Sequence, residues 1–416
     1  MLAYNNLKLV NNPEQYHGQN VQGPFFEGWY YKTVVESGGS IIVIVGTFMP
    51  PNQSSDNPRS QPHTFIMVFR TPNTTECLYY LYPIADFEFE NHKSFGYTLK
   101  VGKSLFTNDG FKLNLDAKDL NWQPEQDDIQ FLNKVKSERE MMTKDLAVEQ
   151  AKYERVEYSI IAEANFTDII RLDSSLYKPT IMGPFAYLPI LECYHGVVNV
   201  FHKSSGFIKF NKGAESEIIS LNGDGYIEKD HGYNFPKSWI WIQTHSFSNE
   251  SGSCLLISIA DVPLLSDIGL LSKAVESLPV IGKKIVSKCA ITGFLVNLYH
   301  SRTKQTYNLS FYTGAKIQQI DFVCSDDNGT PIQKLTTMIS KGNIELKIET
   351  RRVLGTGVPL PGPCKTGKGM IMLVEESITV TVHVILKVDG KIVFDDTGHE
   401  AGMEVVGDMD RLRNRI

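Results

Sequence analysis

Residues 226–246 read YIEKDHGYNFPKSWIWIQTHS, and this stretch decides the fold. Its first half is a strand. Glu228 and Asp230 lie two positions apart, so alternation of strand side chains sends both acids to one side. A turn rich in Gly, Asn and Pro follows. A second strand then sets Trp239, Trp241, Gln243 and His245 on one face. Acids facing aromatics in a β scaffold can wall a pocket that handles electron-poor intermediates. The same residues make an equally good structural ion pair beside a Trp-rich core, and chemistry alone divides the two readings evenly.

Outward from this stretch, short apolar runs alternate with turn residues. Ser40–Met49 (SIIVIVGTFM), His63–Arg70 and Leu78–Ile84 read as strands. Phe95–Asp116 reads as paired strands around Asn108-Asp109-Gly110, and Val197–Phe210 as a hairpin around Ser204-Ser205-Gly206. Gly293–Tyr312, Gln333–Arg351 and Ile378–Phe394 are further hairpins, the last turning at Asp389-Gly390. Turns at this frequency predict an all-β, mainly antiparallel sandwich or barrel. Regular βα alternation is absent, which disfavours a doubly wound sheet. Two segments break the pattern. The charged stretch 126–155 has helix-forming composition and reads as an exposed helical insertion. In 263–290, Leu264, Leu265, Ile268, Leu271, Val275 and Leu278 recur at roughly helical spacing, with Lys283, Lys284 and Lys288 behind them. That segment reads as a helix packed on the barrel, or as a lid that touches lipid.

Composition narrows the function classes. The 416 residues suffice for two large β domains, and the net charge of −6 argues against a nucleic-acid partner. The six cysteines form no CxxC pair and have no histidine at metal-ligand spacing, so neither a metal site nor a disulfide framework is expected. Scattered thiols in apolar runs fit a reducing compartment. The first residues, MLAYNNLKLVNNPEQYHG, lack the basic start and apolar core of a secretory signal, and no run of about 18 apolar residues predicts a spanning helix. The expectation is a cytoplasmic protein, with peripheral membrane contact through 263–290 if that helix meets lipid.

Two more clusters carry chemistry. In GPFFEGWYYK (23–32), Phe25, Glu27, Trp29 and Tyr31 share one strand face, and Phe26, Gly28, Tyr30 and Lys32 the other. Glu27 among aromatics needs a buried partner, and Lys32 or Arg70 could supply it. In MGPFAYLPILECYHGVV (182–198), Glu192 and His195 interrupt an apolar run that Pro184 and Pro189 mark as irregular. No GxSxG, P-loop, GxGxxG or HExxH occurs, so nucleophile-elbow hydrolases, kinases, dinucleotide enzymes and zincins have no support.

The chain resembles the tocopherol cyclase family. The matching words are FFEGWYYK at 25–32, YIEKDHGYNFPKSWIWIQ at 226–243 and, more faintly, AGMEVVGD at 401–408. Residues 182–198 are similar to the version in the family's non-plant members. The resemblance implies two lipocalin-like β domains, 1–220 and 221–416, with a pocket between or within them. The plant enzymes close the chromanol ring of vitamin E from a prenylated hydroquinone without a redox cofactor. Related carotenoid hydratases and Diels–Alderases imply hydrophobic terpenoid or polyketide ligands.

Ring closure of a prenyl quinol requires protonating an alkene, after which the phenol oxygen traps the tertiary cation. The acid must hold its proton near neutrality, through desolvation or a second carboxylate. Glu228 and Asp230 are the expected pair, with Asp230 the acid. Trp29, Trp239 and Trp241 would face the cation, and His231 or Glu192 would take the phenol proton. Glu27, Tyr30, His195 and Gln243 complete the expected ligand-binding set, with no cofactor and no metal. The rival readings are a lipocalin-type carrier of a hydrophobic terpenoid or lipid, and another cofactor-free isomerase or hydratase on the same scaffold.

Overall fold

The apolar runs form two antiparallel sheets in the computed structural model, which describes residues 9–21, 23–51, 58–71, 77–93, 95–119, 128, 130–131, 158–188, 191–263, 290–364 and 369–414. The first sheet holds β1 (Phe25–Val35), β2 (Ser40–Met49), β3 (His63–Arg70), β4 (Leu78–Pro83), β5 (Phe87–Asn91), β6 (Tyr97–Val101), β7 (Ser104–Thr107), β8 (Gly110–Leu115), β9 (Tyr158–Ile170), β10 (Cys193–Lys212), β11 (Glu215–Ser220) and β12 (Gly223–Gly232). Its order is β4-β3-β2-β1-β12-β10-β9-β8-β7-β6-β5, with β11 on β10. The second holds β13 (Trp239–Thr244), β14 (Ser246–Phe247), β15 (Cys254–Pro263), β16 (Ala290–His300), β17 (Gln305–Asn308), β18 (Lys316–Asp327), β19 (Thr330–Lys341), β20 (Ile344–Val353), β21 (Val358–Cys364), β22 (Gly369–Val388) and β23 (Lys391–Val406). Its order is β17-β16-β15-β13-β23-β22-β20-β19-β18, with β14 on β23 and β21 on β22. A short helix, α1 (Met409–Arg413), follows, its first turn capped by the Asp408 carboxylate, which accepts from the Arg411 amide at 3.0 Å.

Each sheet curls around its own apolar filling, giving the all-β, lipocalin-like architecture. Trp29, Tyr31, Tyr97 and Phe106 fill the first, and Ile242, Ile257, Val382 and Leu386 the second. A third cluster lies where the outer faces of the two sheets meet. It draws Tyr30 and Tyr226 from the first sheet and Trp241, Leu256 and Val374 from the second. The 226–246 stretch is where the chain changes sheets: β12 stays beside β1, and after six intervening residues β13 opens the second sheet.

One expected hairpin is absent. Ser204-Ser205-Gly206 lies inside β10, and the turn comes at residues 213–214, before β11. Gly206 serves a close approach instead: a Cβ there would come within 1.9 Å of the Glu163 carbonyl. The Asp389-Gly390 turn is as expected, with φ of 52° and 74° at its two residues, the left-handed pair that a two-residue hairpin requires. Of the helical expectation over 126–155, only residues 128, 130 and 131 are described, and these are helical. The expectation for 263–290 falls outside the described residues except at its ends, which belong to β15 and β16. Among the described residues, no helix is long and apolar enough to cross a membrane.

Candidate active site between the two sheets

A cavity of about 260 Å³ opens where the sheets meet. On its first wall, strand register places Tyr30 opposite Glu228 and Gly28 opposite Asp230, with His195 of β10 opposite Asp230 on the other side. On the second wall, Trp241 lies opposite Glu404, and Glu404 opposite Glu376. The hydrogen bonds then cross from wall to wall. The Tyr30 hydroxyl donates to Glu376 at 2.6 Å, and Trp241 Nε1 donates to Glu228 at 3.2 Å. Tyr226 also donates to Glu228 at 2.7 Å, and Trp239 Nε1 donates to Glu404 at 2.6 Å. Each glutamate is thus oriented by neutral aromatic donors. Gly402 leaves room for this arrangement, since a Cβ there would lie 2.5 Å from the Trp241 ring.

Among the described residues, Glu376 and Glu404 have no salt-bridge partner. Burial pushes the Glu228 carboxyl up to about 7, with His195 pulling against the rise and Asp230 adding to it. Burial also pushes Glu404 up to about 7, against the Trp239 hydrogen bond. Glu376 is held well above the carboxylate range by burial and then by Glu404. Like charges directly opposite on neighbouring strands repel, so this site keeps carboxylic acid protons near neutrality.

Asp230 plays a different part. It accepts from His195 Nδ1 at 2.6 Å. Burial opposes charge on His195, but Asp230 and Glu228 overcome it and raise the imidazole to about 9. His195 Nε2 lies 3.5 Å from Glu228, close enough for attraction between charges, yet it makes no hydrogen bond. Glu192, Trp239 and Trp241 line the same cavity.

The remaining expected site residues lie elsewhere. Glu27 and Trp29 point into the first barrel, because their parity on β1 is opposite to that of Tyr30. Glu27 pairs with Lys229, neither with Lys32 nor with Arg70, and accepts from the amides of His17 and Gly18 at 2.9 and 3.1 Å. Arg70 binds Glu217 at 2.6 Å instead. His231 follows Lys229 to this face and stacks on His17, ring centroids 4.0 Å apart, so it does not reach the cavity. Gln243 lies behind the cavity wall, accepting from Lys32 Nζ at 3.2 Å. Lys32 also donates to the Glu400 carbonyl at 2.5 Å and is lowered to about 8 by burial.

The ligating atoms of His17, Glu27 and His231 lie within 4.8 Å of one another, a spacing that could hold a metal ion. The Lys229 ammonium already occupies this place, paired with Glu27 and 2.8 Å from His17 Nδ1. Burial and then Lys229 push His17 well below its usual range, so its 3.0 Å approach to Glu27 is contact with a neutral ring.

Sequence reasoning missed Glu376 and Glu404. Glu404 sits in AGMEVVGD, whose likeness to a family word was a usable signal. Glu376 is one acid in MLVEESITV, and only strand register brings it to Glu404.

The sequence profile described as tocopherol cyclase-like matches residues 23–265. No curated protein matches the chain. Among solved structures, CghA bound to Sch210972 is 9% identical over 92% of this chain and 89% of its own, with a TM-score of 0.50. Kievitone hydratase from Nectria haematococca is 9% identical over the same shares, with a TM-score of 0.39.

Proposed function

The chain belongs to the tocopherol cyclase-like family, and from that premise we propose that it is an acid-catalysed, cofactor-independent cyclase that closes a prenylated hydroquinone or similar isoprenoid phenol to a chromanol. The observation that carries this reading is the cluster of Glu228, Glu376 and Glu404 carboxyls, their proton affinity raised by burial, in an aromatic-walled cavity. A carboxyl of this cluster gives its proton to the alkene. The tertiary cation forms against the faces of Trp239, Trp241 and Tyr30, each worth about 1–2 kcal/mol when desolvated. The phenol oxygen attacks the cation, a C–O bond forms, and the phenol proton returns to the carboxylate cluster. Proton and electron counts balance as an isomerisation. Asp230 orients His195, whose Nε2 lies 3.5 Å from Glu228.

The test is incubation with a prenylated hydroquinone and chromatography for the chromanol. In deuterated water the product should carry one deuterium on the former alkene carbon. Glu376→Gln and Glu404→Gln should each cut turnover by about 100-fold or more with the fold retained, the range expected for loss of a general acid. Asp230→Asn should instead move the pH profile, because it removes the charge that holds the His195 proton. Tight binding of the hydroquinone with no product would favour a carrier, and a hydrated product a hydratase.

A further inference from the structure

Glycine is costly inside a strand, because it gives up more conformational freedom than other residues and packs nothing. Two glycines nevertheless lie side by side on the cavity face of the first sheet, Gly28 on β1 and Gly46 on β2. Gly46 has a structural reason. A Cβ there would come within 2.5 Å of the Glu27 carbonyl and 2.6 Å of the Phe65 ring, which lies over it. Gly28 has no reason of that kind. Its φ is outside the left-handed region, and beyond its chain neighbours a Cβ there would meet no atom closer than 3.8 Å. The backbone would accept a side chain at this position, and the space it would fill is the cavity. Exposure agrees with this. From Phe25 to Thr33, Gly28 is the one residue that is not buried, although β1 has a paired strand on each side.

The opening above Gly28 has definite walls. Phe26 and Tyr30 flank it along β1, and both line the cavity. Edge contacts hold their rings, Phe26 against Phe235 at 5.0 Å between centroids and Tyr30 against Trp241 at 5.7 Å. Phe65 closes the opening on the Gly46 side, and Asp230 lies opposite Gly28 on the other. The Asp230 side chain is 30% exposed and lines the cavity. We propose that Gly28 is the specificity-determining residue of this cavity: it keeps open a notch, one residue wide, for the aromatic ring of a phenolic substrate, with a ring hydroxyl turned to Asp230. Three aromatic neighbours offer the ring face and edge contacts, and the bare backbone lets a flat group come closer than any side chain would. An aliphatic chain in the same place would lay methylenes against a carboxylate and leave it without a donor. This rests on the reading of the cavity as the substrate site and names where the ring of that substrate lies. It does not depend on turnover.

The experiment titrates the full chain, Gly28→Ala and Gly28→Val with two probes that cannot cyclise: 2-decylhydroquinone, kept reduced under nitrogen, and 1-decanol. Both should bind the parent, since most of the cavity wall is apolar. Gly28→Ala should weaken the hydroquinone by about tenfold or more, the loss expected when one methyl group intrudes on a fitted pocket. Gly28→Val should weaken it further. Decanol has no ring to place over residue 28, and its affinity should change by less than about twofold in either variant. Urea unfolding supplies a readout that a structural role would move the other way: Gly28→Ala should keep or raise the urea midpoint, because alanine is the better strand residue. Failure of the parent to bind either probe, an unchanged hydroquinone affinity in Gly28→Ala, an equal loss for decanol, or a lowered urea midpoint would each overturn the proposal. Chromanol assays on the same proteins report separately on cyclisation: absent turnover with the ring preference intact strikes the cyclase reading alone.

Discussion

Glu376 and Glu404 face each other across neighbouring strands, which costs stability if both ionise. Glu404 is raised from 4.5 to about 7. A carboxyl raised in the folded state binds its proton more tightly there than in the unfolded chain. Its stabilisation is complete below about pH 4.5 and is lost as pH rises through the folded value. Replacing it with a neutral amide removes that loss. Glu404→Gln should therefore unfold much like the parent at pH 5 and be more stable than it at pH 8, by roughly 1–3 kcal/mol. Urea unfolding at the two pH values checks this, and a variant less stable at pH 8 would contradict the burial argument. Legibility was partial at this scale. Glu228 and Asp230 were readable as a pair because they share one strand. Glu376 lies 148 positions from Glu228 and announces itself in no local pattern.

Strand β12 does two jobs with its two faces. Glu228 and Asp230 look into the cavity, while Lys229 and His231 look into the first barrel. The alternation that separated Lys229 from the acids also excludes His231, since it shares Lys229's parity. Lys229 pins more than Glu27: it donates to the carbonyls of Pro13 and Gln15, fixing the N-terminal segment over the barrel, where Trp29 Nε1 donates to the Glu14 carbonyl at 2.8 Å. The two words FFEGWYYK and YIEKDHGYNF are thus adjacent strands, clamped by one buried ion pair. Glu27→Gln leaves a buried ammonium uncompensated and should cost about 3–5 kcal/mol. Glu27→Gln combined with Lys229→Met should recover part of that loss, measurable as a double-mutant cycle by chemical denaturation. Strictly additive losses would show that the two groups do not interact. Element boundaries were mostly readable from turn residues. The failure at Ser204–Gly206 has a physical cause: small residues permit close strand approach as well as turns, and the sequence does not distinguish the two.

At the scale of the whole molecule, the third apolar cluster joins two barrels that each have their own core. The crossed bonds Tyr30 to Glu376 and Trp241 to Glu228 add to that joint, as does Lys32 bound to Gln243 and Glu400. A large apolar contact of this kind couples units. Calorimetry should therefore show one unfolding transition, with calorimetric and van't Hoff enthalpies in agreement. Two separated peaks would mean that the barrels melt independently. The sequence by itself determined the class of fold, through strand alternation and turn chemistry, and the family, through words short enough to be written locally. It also determined that Glu228 and Asp230 share a face, because strand geometry relates residues two apart. The candidate site itself comes into view only in the tertiary structure. The acids of the second wall, Glu376 and Glu404, arrive from strands of the second sheet, and their raised proton affinity exists only because packing removes water and sets like charges opposite each other.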